Sequence, residues 1–415
     1  MSKSSKVELE LIKRAIKRVA DETGVHPIQL TKAQLLANSD TTEWQLRKYG
    51  GLANIVKAAF PQEDKEIVAA RELQTGKNYV SKLERDLADR DIFIKSVTDT
   101  LEKSLKPIDV TPYKKTRNES TERALSLVLS DLHFGSDVDG KETGNASYGK
   151  VEESRRFARI IKETIDFKIQ YRDRTELNVL ILGDVMQGQL HDMRDGAPGA
   201  EQMARCIHLL SQGLAQLAAN FPKVHVKFAT GNHGRATARH HSRATLQKFD
   251  SLETVIYYAL KTVFKNAENI TFDLPLTPYV TYDVFNKKVF ATHGDTVFNP
   301  GYPGKSINMS NLEDQTNRIN ASLKDDSEYS VFVVGHVHTA SITYLGNNAV
   351  MITNGALVPT DGYATSIGLL ESNAGQMLFE SVKDFPVGDT RFIRVSEKDD
   401  KNKELDKIIK PFESF

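Results

Sequence analysis

Five short motifs place histidine, aspartate and asparagine directly after apolar runs. In chain order they are Asp131-Leu132-His133, Gly183-Asp184, Gly231-Asn232-His233, His293-Gly294 and Gly335-His336-Val337-His338. Singly each is weak: an Asp-x-His can be a cap beside a surface histidine, Gly-Asp is common at turns, and a lone His293 is ordinary in a core. Gly-His-x-His says more, because strand residues two apart point to one side. The set as a whole supplies what divalent cations bind, carboxylate oxygens and neutral imidazoles. Groups at successive strand ends can converge on one crevice. Gly183, Gly231, Gly294 and Gly335 let the backbone turn sharply beside them.

The elements that must position these groups are legible from the apolar pattern. Residues 125–129, 178–182, 224–229, 288–291 and 331–334 read as short strands, each followed by one of the motifs. Residues 151–171 and 199–219 read as helices between the early strands, and the chain from 270 onward is mostly strand-like. This is an α/β arrangement with its chemistry at strand ends, and no internal repeat is visible.

The ordered motif set resembles the calcineurin-like metallophosphoesterase superfamily over roughly residues 125–370. That resemblance implies two facing mixed β-sheets flanked by helices. It also implies that Asp131, His133 and His338 hold one metal, that Asn232, His293 and His336 hold a second, and that Asp184 bridges them. Two divalent ions about 3.5–4 Å apart then share a hydroxide that attacks phosphorus in line. Mn²⁺ is the first expectation, with Zn²⁺, Fe or Mg²⁺ also compatible with this donor set. His233 matches the histidine that contacts the scissile phosphate and protonates the leaving oxygen.

The chain departs from the family pattern twice. Many relatives follow that histidine with an acid that orients its ring; here Gly234 and Arg235 follow. The stretch 183–188, Gly-Asp-Val-Met-Gln-Gly, lacks the Asp-Arg of protein serine/threonine phosphatases, which counts against a phosphoprotein substrate.

Residues 1–61 read as a small all-α domain. Leu9, Ile12, Ile16 and Val19 share a helical face, Thr31 and Asp40 suit two N-caps, and Gly50-Gly51 breaks the chain before Ile55. Residues 42–60, with Trp44, Leu46, Tyr49, Gly50, Gly51 and Leu52 ahead of Ala58-Ala59, resemble the end of a homing-endonuclease-associated repeat. The domain carries ten Lys and Arg against six Asp and Glu, with Lys13, Arg14, Lys17 and Arg18 close together. This face is a solvated surface, a nucleic-acid contact or a protein-docking site. Residues 62–121 form a polar connector and linker, with Leu73, Val80, Leu83, Leu87 and Ile92 at helical intervals that allow homo-oligomerisation through a short coiled coil. Residues 122–395 make up the phosphoesterase domain and 396–415 a polar C-terminal tail.

Lys+Arg and Asp+Glu balance at 55 each, so no whole-molecule field draws in an acidic partner. The single cysteine, Cys206, suits a reducing compartment and reads as a small core residue. No stretch is apolar enough to cross a membrane, and a cytoplasmic protein is expected. Arg235, Arg239, His240, His241 and Arg243 form a basic run that either grips phosphates flanking the scissile one or faces solvent. His191, Asn145 and Tyr148 are further candidate substrate contacts. Nucleic acid is the expected substrate, DNA or RNA, as in the DNA-repair exonuclease branch, and the layout is similar to phage-encoded proteins. The alternative is a phosphoesterase for nucleotides, cyclic nucleotides or phosphomonoesters, with the N-terminal domain serving assembly or regulation.

Overall fold

The computed structural model describes residues 3–59, 95, 99, 105–114, 123–144, 147–170, 176–188, 196–235, 248, 250–298, 309–323, 328–359 and 373–413. Met1–Asp89 and Arg90–Phe415 form two compact units, so the division falls inside the expected connector. Most of that connector, including its helical leucines and valine, lies outside the described residues.

Among its described residues the first unit contains α1 (Lys3–Thr23), α2 (Lys32–Ala37), α3 (Glu43–Lys48) and α4 (Leu52–Ala59). The apolar stripe of α1 buries Ile12, Ile16 and Val19 against Leu30, Leu35, Leu46, Ile55 and Val56. Thr31 caps α2 and closes a capping box with Gln34. The second cap is Thr42 and not Asp40, because the Thr42 hydroxyl accepts from the Gln45 N–H while Gln45 reaches back. Gly50 and Gly51, with φ of 83° and 91°, make the expected break between α3 and α4. Of the basic cluster on α1, Lys13 pairs with Glu10 and Arg18 with Glu22.

The second unit is layered. Its chain order runs β1 (Arg123–Leu129), α5 (Gly140–Thr143), α6 (Lys150–Gln170), β2 (Glu176–Leu182), α7 (Gly199–Asn220), β3 (Lys223–Ala229), α8 (Leu252–Val263) and β4 (Ile270–Asp273). There follow β5 (Tyr279–Val284), β6 (Lys287–Thr292), α9 (Met309–Ala321), β7 (Tyr329–Val334), β8 (Ser341–Tyr344), β9 (Val350–Thr353), β10 (Gly375–Val382), β11 (Thr390–Arg394) and α10 (Glu397–Asp400). One sheet has the order β11-β10-β1-β2-β3-β4 and the other β5-β6-β7-β9-β8. Strands β1 to β4 are parallel, β10 is antiparallel to β1, and β11 is antiparallel to β10; β6, β7 and β9 are parallel between antiparallel edges.

Strands β1 and β2 are mostly apolar, broken only by Ser126 and Asn178 after their first residues, because they are buried on both faces. One face, with Ala124, Val128, Leu180 and Leu182, meets Val289, Ala291, Val331, Val333 and Ile352 of the second sheet. The other, with Leu125, Leu127, Val179 and Ile181, packs on helical residues such as Phe157, Ile161, Leu210, Leu214 and Leu260. Phe290, Phe332 and Met351 cover the outer face of the second sheet together with Leu312 of α9. This is the expected pair of facing mixed sheets flanked by helices. All five strands read from the sequence are present, and β1, β2, β3, β6 and β7 each end where a motif begins.

Two expectations fail at the borders of this unit. Ile108 and Val110, placed in a linker, pack against the core, and the Ile108 N–H donates to the Val263 carbonyl. The C-terminal residues are not a loose polar tail: Leu405 and Ile409 are buried in the main core. Arg156 and Asp400 form a bidentate buried pair at 2.8 Å, and Arg155 pairs likewise with Asp406. The apolar positions are too widely spaced among charges for periodicity to expose them. Asp400→Ala leaves the Arg156 guanidinium buried without its carboxylate. It is expected to destabilise the larger unit by about 3–5 kcal/mol, read as a shift in the urea midpoint.

Candidate metal centre

The strand-end loops are strained where the chemistry sits. Asp131, His133, Asp184, His336 and His338 all have left-handed φ, between 47° and 69°. Such angles cost non-glycine residues on the order of 1–3 kcal/mol each and cluster at functional sites. The loops also run unusually close. A Cβ added at Gly183 would stand 2.2 Å from the Gly231 nitrogen, and one at Gly231 would stand 2.0 Å from Asp184 Oδ1. Only glycine permits that approach, and through it the second and third motifs touch.

Asp131, Asp184, His133, Asn232, His293, His336 and His338 all come together. Ligand atoms of Asp131, His133 and His338 lie within 4.8 Å of one another, and so do those of Asp184, His293 and His336. A further group of His133, Asp184 and His233 links the two sets, which puts Asp184 between them. His338 Nε2 lies 3.3 Å from Asp131 Oδ1 and 3.4 Å from His133 Nε2. His293 Nε2 lies 3.0 Å from both Asp184 Oδ2 and Asn232 Oδ1. His293 Nδ1 donates to the Leu182 carbonyl at 2.8 Å, which leaves Nε2 as the coordinating nitrogen.

The electrostatics suit cations. Burial holds His133 well below the ordinary imidazole range and His336 down at about 4, so both present neutral rings. Burial would raise Asp131, but the His338 hydrogen bond and charge outweigh it and hold the carboxyl at about 2. Burial likewise opposes charge on His293, and the neighbouring Asp184 carboxylate overrides it, lifting the ring to about 10. His133 Nδ1 is buried without a hydrogen-bond partner among the described residues, and Asp131 Oδ1, equally buried, faces the His338 ring nitrogen at 3.3 Å. A buried carboxylate oxygen crowded against imidazole nitrogens is a costly arrangement for an empty pocket and a favourable one for a divalent ion. The residues present therefore fit a two-metal site.

His233 sits beside this cluster, its ring 4.5 Å from that of His133 and nearly perpendicular to it. The partner that no following acid supplies is the Gln187 backbone carbonyl, 2.6 Å from His233 Nδ1. A carbonyl only accepts, so Nδ1 carries the proton and Nε2 is the nitrogen able to act on a ligand. The close packing that brings Gln187 there depends on Gly188, where a Cβ would stand 2.0 Å from the His233 carbonyl oxygen. An acid at position 234 is sterically blocked: a Cβ there would lie 2.5 Å from Glu253 Cγ.

Several supporting residues are invisible in the motifs. Glu253, fully buried in the first turn of α8, accepts from the Val185 N–H at 2.8 Å and the Gly231 N–H at 2.7 Å. It ties together the loops bearing Asp184 and Asn232. Lys248 Nζ donates to the Thr230 and Gly231 carbonyls and to Asp295 Oδ1, joining the third motif to the fourth. Ser130 donates to Asp131 Oδ2 at 2.6 Å and is itself held by Asn354, which also bonds Gln376. In the sequence an acid at a helix start reads only as a helix-dipole partner, which conceals Glu253.

The expected substrate contacts fare differently. Arg235 lies against the third motif, its Nε donating to the Asn232 carbonyl at 2.8 Å. Tyr148 is corrected: it is 3% exposed, its hydroxyl is shielded, and its ring lies 5.0 Å from the Arg156 guanidinium, so it braces the loop and cannot grip a substrate there. His191, Asn145 and Arg239 fall outside the described residues. Cys206 is fully buried with its thiol on the Val185 carbonyl, and burial pushes that thiol well up, away from nucleophilic use.

No family model matches the chain, and no curated protein sequence does. Among solved structures it is similar to the sulfate thiohydrolase SoxB of Thermus thermophilus at 10% identity and TM-score 0.31, over 72% of this chain and 61% of that one. It is similar to a dimetal phosphatase of Danio rerio at 11% identity and TM-score 0.30, over 66% of this chain and 99% of that one. A third likeness is to the 5'-nucleotidase of Candida albicans, at 11% identity and TM-score 0.32, over 71% of this chain and 56% of that one. The chain thus spans less than two thirds of the first and third of these proteins. At such identities and TM-scores these likenesses carry no argument, and the functional reading rests on the geometry of the site itself.

Glu253→Gln keeps the shape but sets an amide NH₂ against one of the two backbone N–H groups. Divalent-metal affinity is expected to fall about 10- to 100-fold, the usual cost of losing a group that orients ligands. Metal titration of the purified variant checks this, and an unchanged affinity would rule out the tie.

Proposed function

We propose that the chain is a dinuclear-metal phosphoesterase that hydrolyses phosphodiester bonds, with nucleic acid as its substrate, and that it belongs with the calcineurin-like metallophosphoesterases. The observation that carries the reading is the convergence of Asp131, His133, His338, Asp184, Asn232, His293 and His336 on one point, with His233 beside them. Asp131, His133 and His338 would hold one ion, Asn232, His293 and His336 the other, and Asp184 both. Bound there, two divalent ions would supply a nucleophile ionised near neutral pH and neutralise charge growing on the phosphoryl oxygens.

The protein's own groups do the rest. Asp184 Oδ1 accepts the N–H groups of Asn232 and His233 at 2.8 Å each, so one carboxylate fixes both the ligand set and the backbone of the proton donor. The Gln187 carbonyl holds the Nδ1–H of His233, so that in the doubly protonated imidazolium form the Nε2–H can donate to a phosphoryl oxygen and pass its proton to the leaving oxygen. Asp131 Oδ2 accepts from the His336 N–H at 3.0 Å and locks the fifth motif against the first. Support for nucleic acid comes from the basic residues Arg14, Lys17 and Arg18, exposed on α1, and from Arg235 beside the site. A second binding surface on the same chain raises the local concentration of a long polyanion.

Three outcomes are expected. Asp184→Ala or His336→Ala abolishes turnover and lowers bound metal; full activity with normal metal content in either variant would sink the site. Gly188→Ala retains metal but slows turnover on the order of 100-fold, because it shifts the carbonyl and backbone that aim His233. Purified protein with Mn²⁺ should degrade plasmid or single-stranded oligonucleotide, with activity falling steeply as salt rises. Replacing Arg14, Lys17 and Arg18 by glutamine should flatten that salt dependence. Cleavage of bis-p-nitrophenyl phosphate without attack on any nucleic acid would instead assign a small diester as substrate.

A further inference from the structure

A cavity of about 390 Å³ opens directly beside the metal ligand His338, which forms part of its wall. It lies where β8 of one sheet faces β10 and β11 of the other, and its remaining walls include Thr339, Ile342, Met377, Phe392 and Arg394. Its volume falls in the range of roughly 300–1,000 Å³ that small-molecule sites occupy. Register explains the lining. Met377 pairs with Phe392 across β10 and β11, and Arg394 is two residues beyond Phe392 on the same face, so all three side chains enter the space between the sheets.

Two features make this a built site. The Phe392 ring lies against backbone, since a Cβ at Gly375 would stand 2.7 Å from its Cζ and one at Gly355 would stand 3.1 Å from its Cε2. The glycines leave room for the ring on one side, and the ring lines the cavity on the other. The Arg394 guanidinium lies 6.0 Å from the centroid of that ring, and no carboxylate among the described residues lines the cavity. Arg394 is exposed and pairs with no acid among the described residues.

An aromatic platform, a cation and an adjoining metal ligand suit one chemical group, a nucleotide whose own phosphate is at the metals. We infer that this cavity binds the nucleoside attached to the reacting phosphate, with its base stacked on Phe392 and its next phosphate on Arg394. The inference deepens the phosphoesterase reading and rests on it for the position of the reacting phosphate. Stacking of one base on an aromatic side chain is worth roughly 5- to 150-fold in affinity. Arg394 adds a charge-assisted contact to the flanking phosphate.

Three esters sharing one leaving group separate these contributions: methyl p-nitrophenyl phosphate, thymidine 5'-(p-nitrophenyl phosphate), and the latter carrying a 3'-phosphate. In the wild-type protein kcat/KM should rise about tenfold at each step. Phe392→Leu should erase the first gain and Arg394→Met the second. Ratios between substrates are immune to loss of folded protein, and Arg394, being exposed, gives a variant whose fold is not at stake. Calorimetric binding of thymidine 3',5'-bisphosphate, weakened about tenfold in both variants, gives a readout without turnover. Hydrolysis of the methyl ester with no preference for either nucleoside ester overturns the pocket and leaves the phosphoesterase reading standing. Bisphosphate binding that depends on Phe392 and Arg394 without hydrolysis of any ester supports the pocket and sinks that reading. Ratios or binding that survive both substitutions overturn the pocket.

Discussion

The seven side chains proposed as ligands reach one point because the loops that carry them run in near contact at the ends of the strands. One of the tightest places is between Gly183 and Gly231, where a single methyl group would stand 2.2 Å from a backbone nitrogen. That approach lets Asp184 Oδ1 accept two N–H groups from the neighbouring loop while Oδ2 faces His293. Backbone N–H groups do here what a bulkier side chain would otherwise have to do. They spend one carboxylate oxygen on structure and leave the other for a cation.

The strain in these loops has identifiable compensation. Five ligand residues in left-handed conformations represent several kcal/mol that the fold must offset. Buried hydrogen bonds supply it. Glu253 receives two backbone N–H groups, Lys248 donates to two backbone carbonyls and to Asp295, and the Ser130, Asn354 and Gln376 network holds Asp131. In a desolvated setting each of these bonds is stronger than in water, and each is costly to leave unmade. The site is thus held by groups that need never touch a substrate.

His233 shows how the same packing supplies an orienting partner where no acid follows the histidine. Glu253 fills the space an acid after His233 would need, and the Gln187 carbonyl takes over the orienting role. A carbonyl fixes the tautomer as firmly as a carboxylate but adds no negative charge beside the ring. The carboxylate that might have oriented the histidine lies one layer deeper, holding the loops.

The chain by itself determined the five strands, the helices between them and the donor set, because apolar runs with motifs at their ends are local patterns. It also determined the core face of α1 and the glycine break after α3. Tertiary structure alone decided the rest. The partner of His233, the roles of Glu253 and Lys248, and the cavity between β8 and β11 all join residues from separate elements, and no spacing in the chain encodes such meetings. Tyr148 reads as a loop residue free to touch a ligand, yet packing turns its hydroxyl inward. The residues after 395 read as a polar tail, yet two apolar side chains and two arginine pairs seat them on α6. Periodicity reports which face of one element is apolar; only the packing of several elements reports which polar groups lose water together, and that loss of water is what makes a metal site.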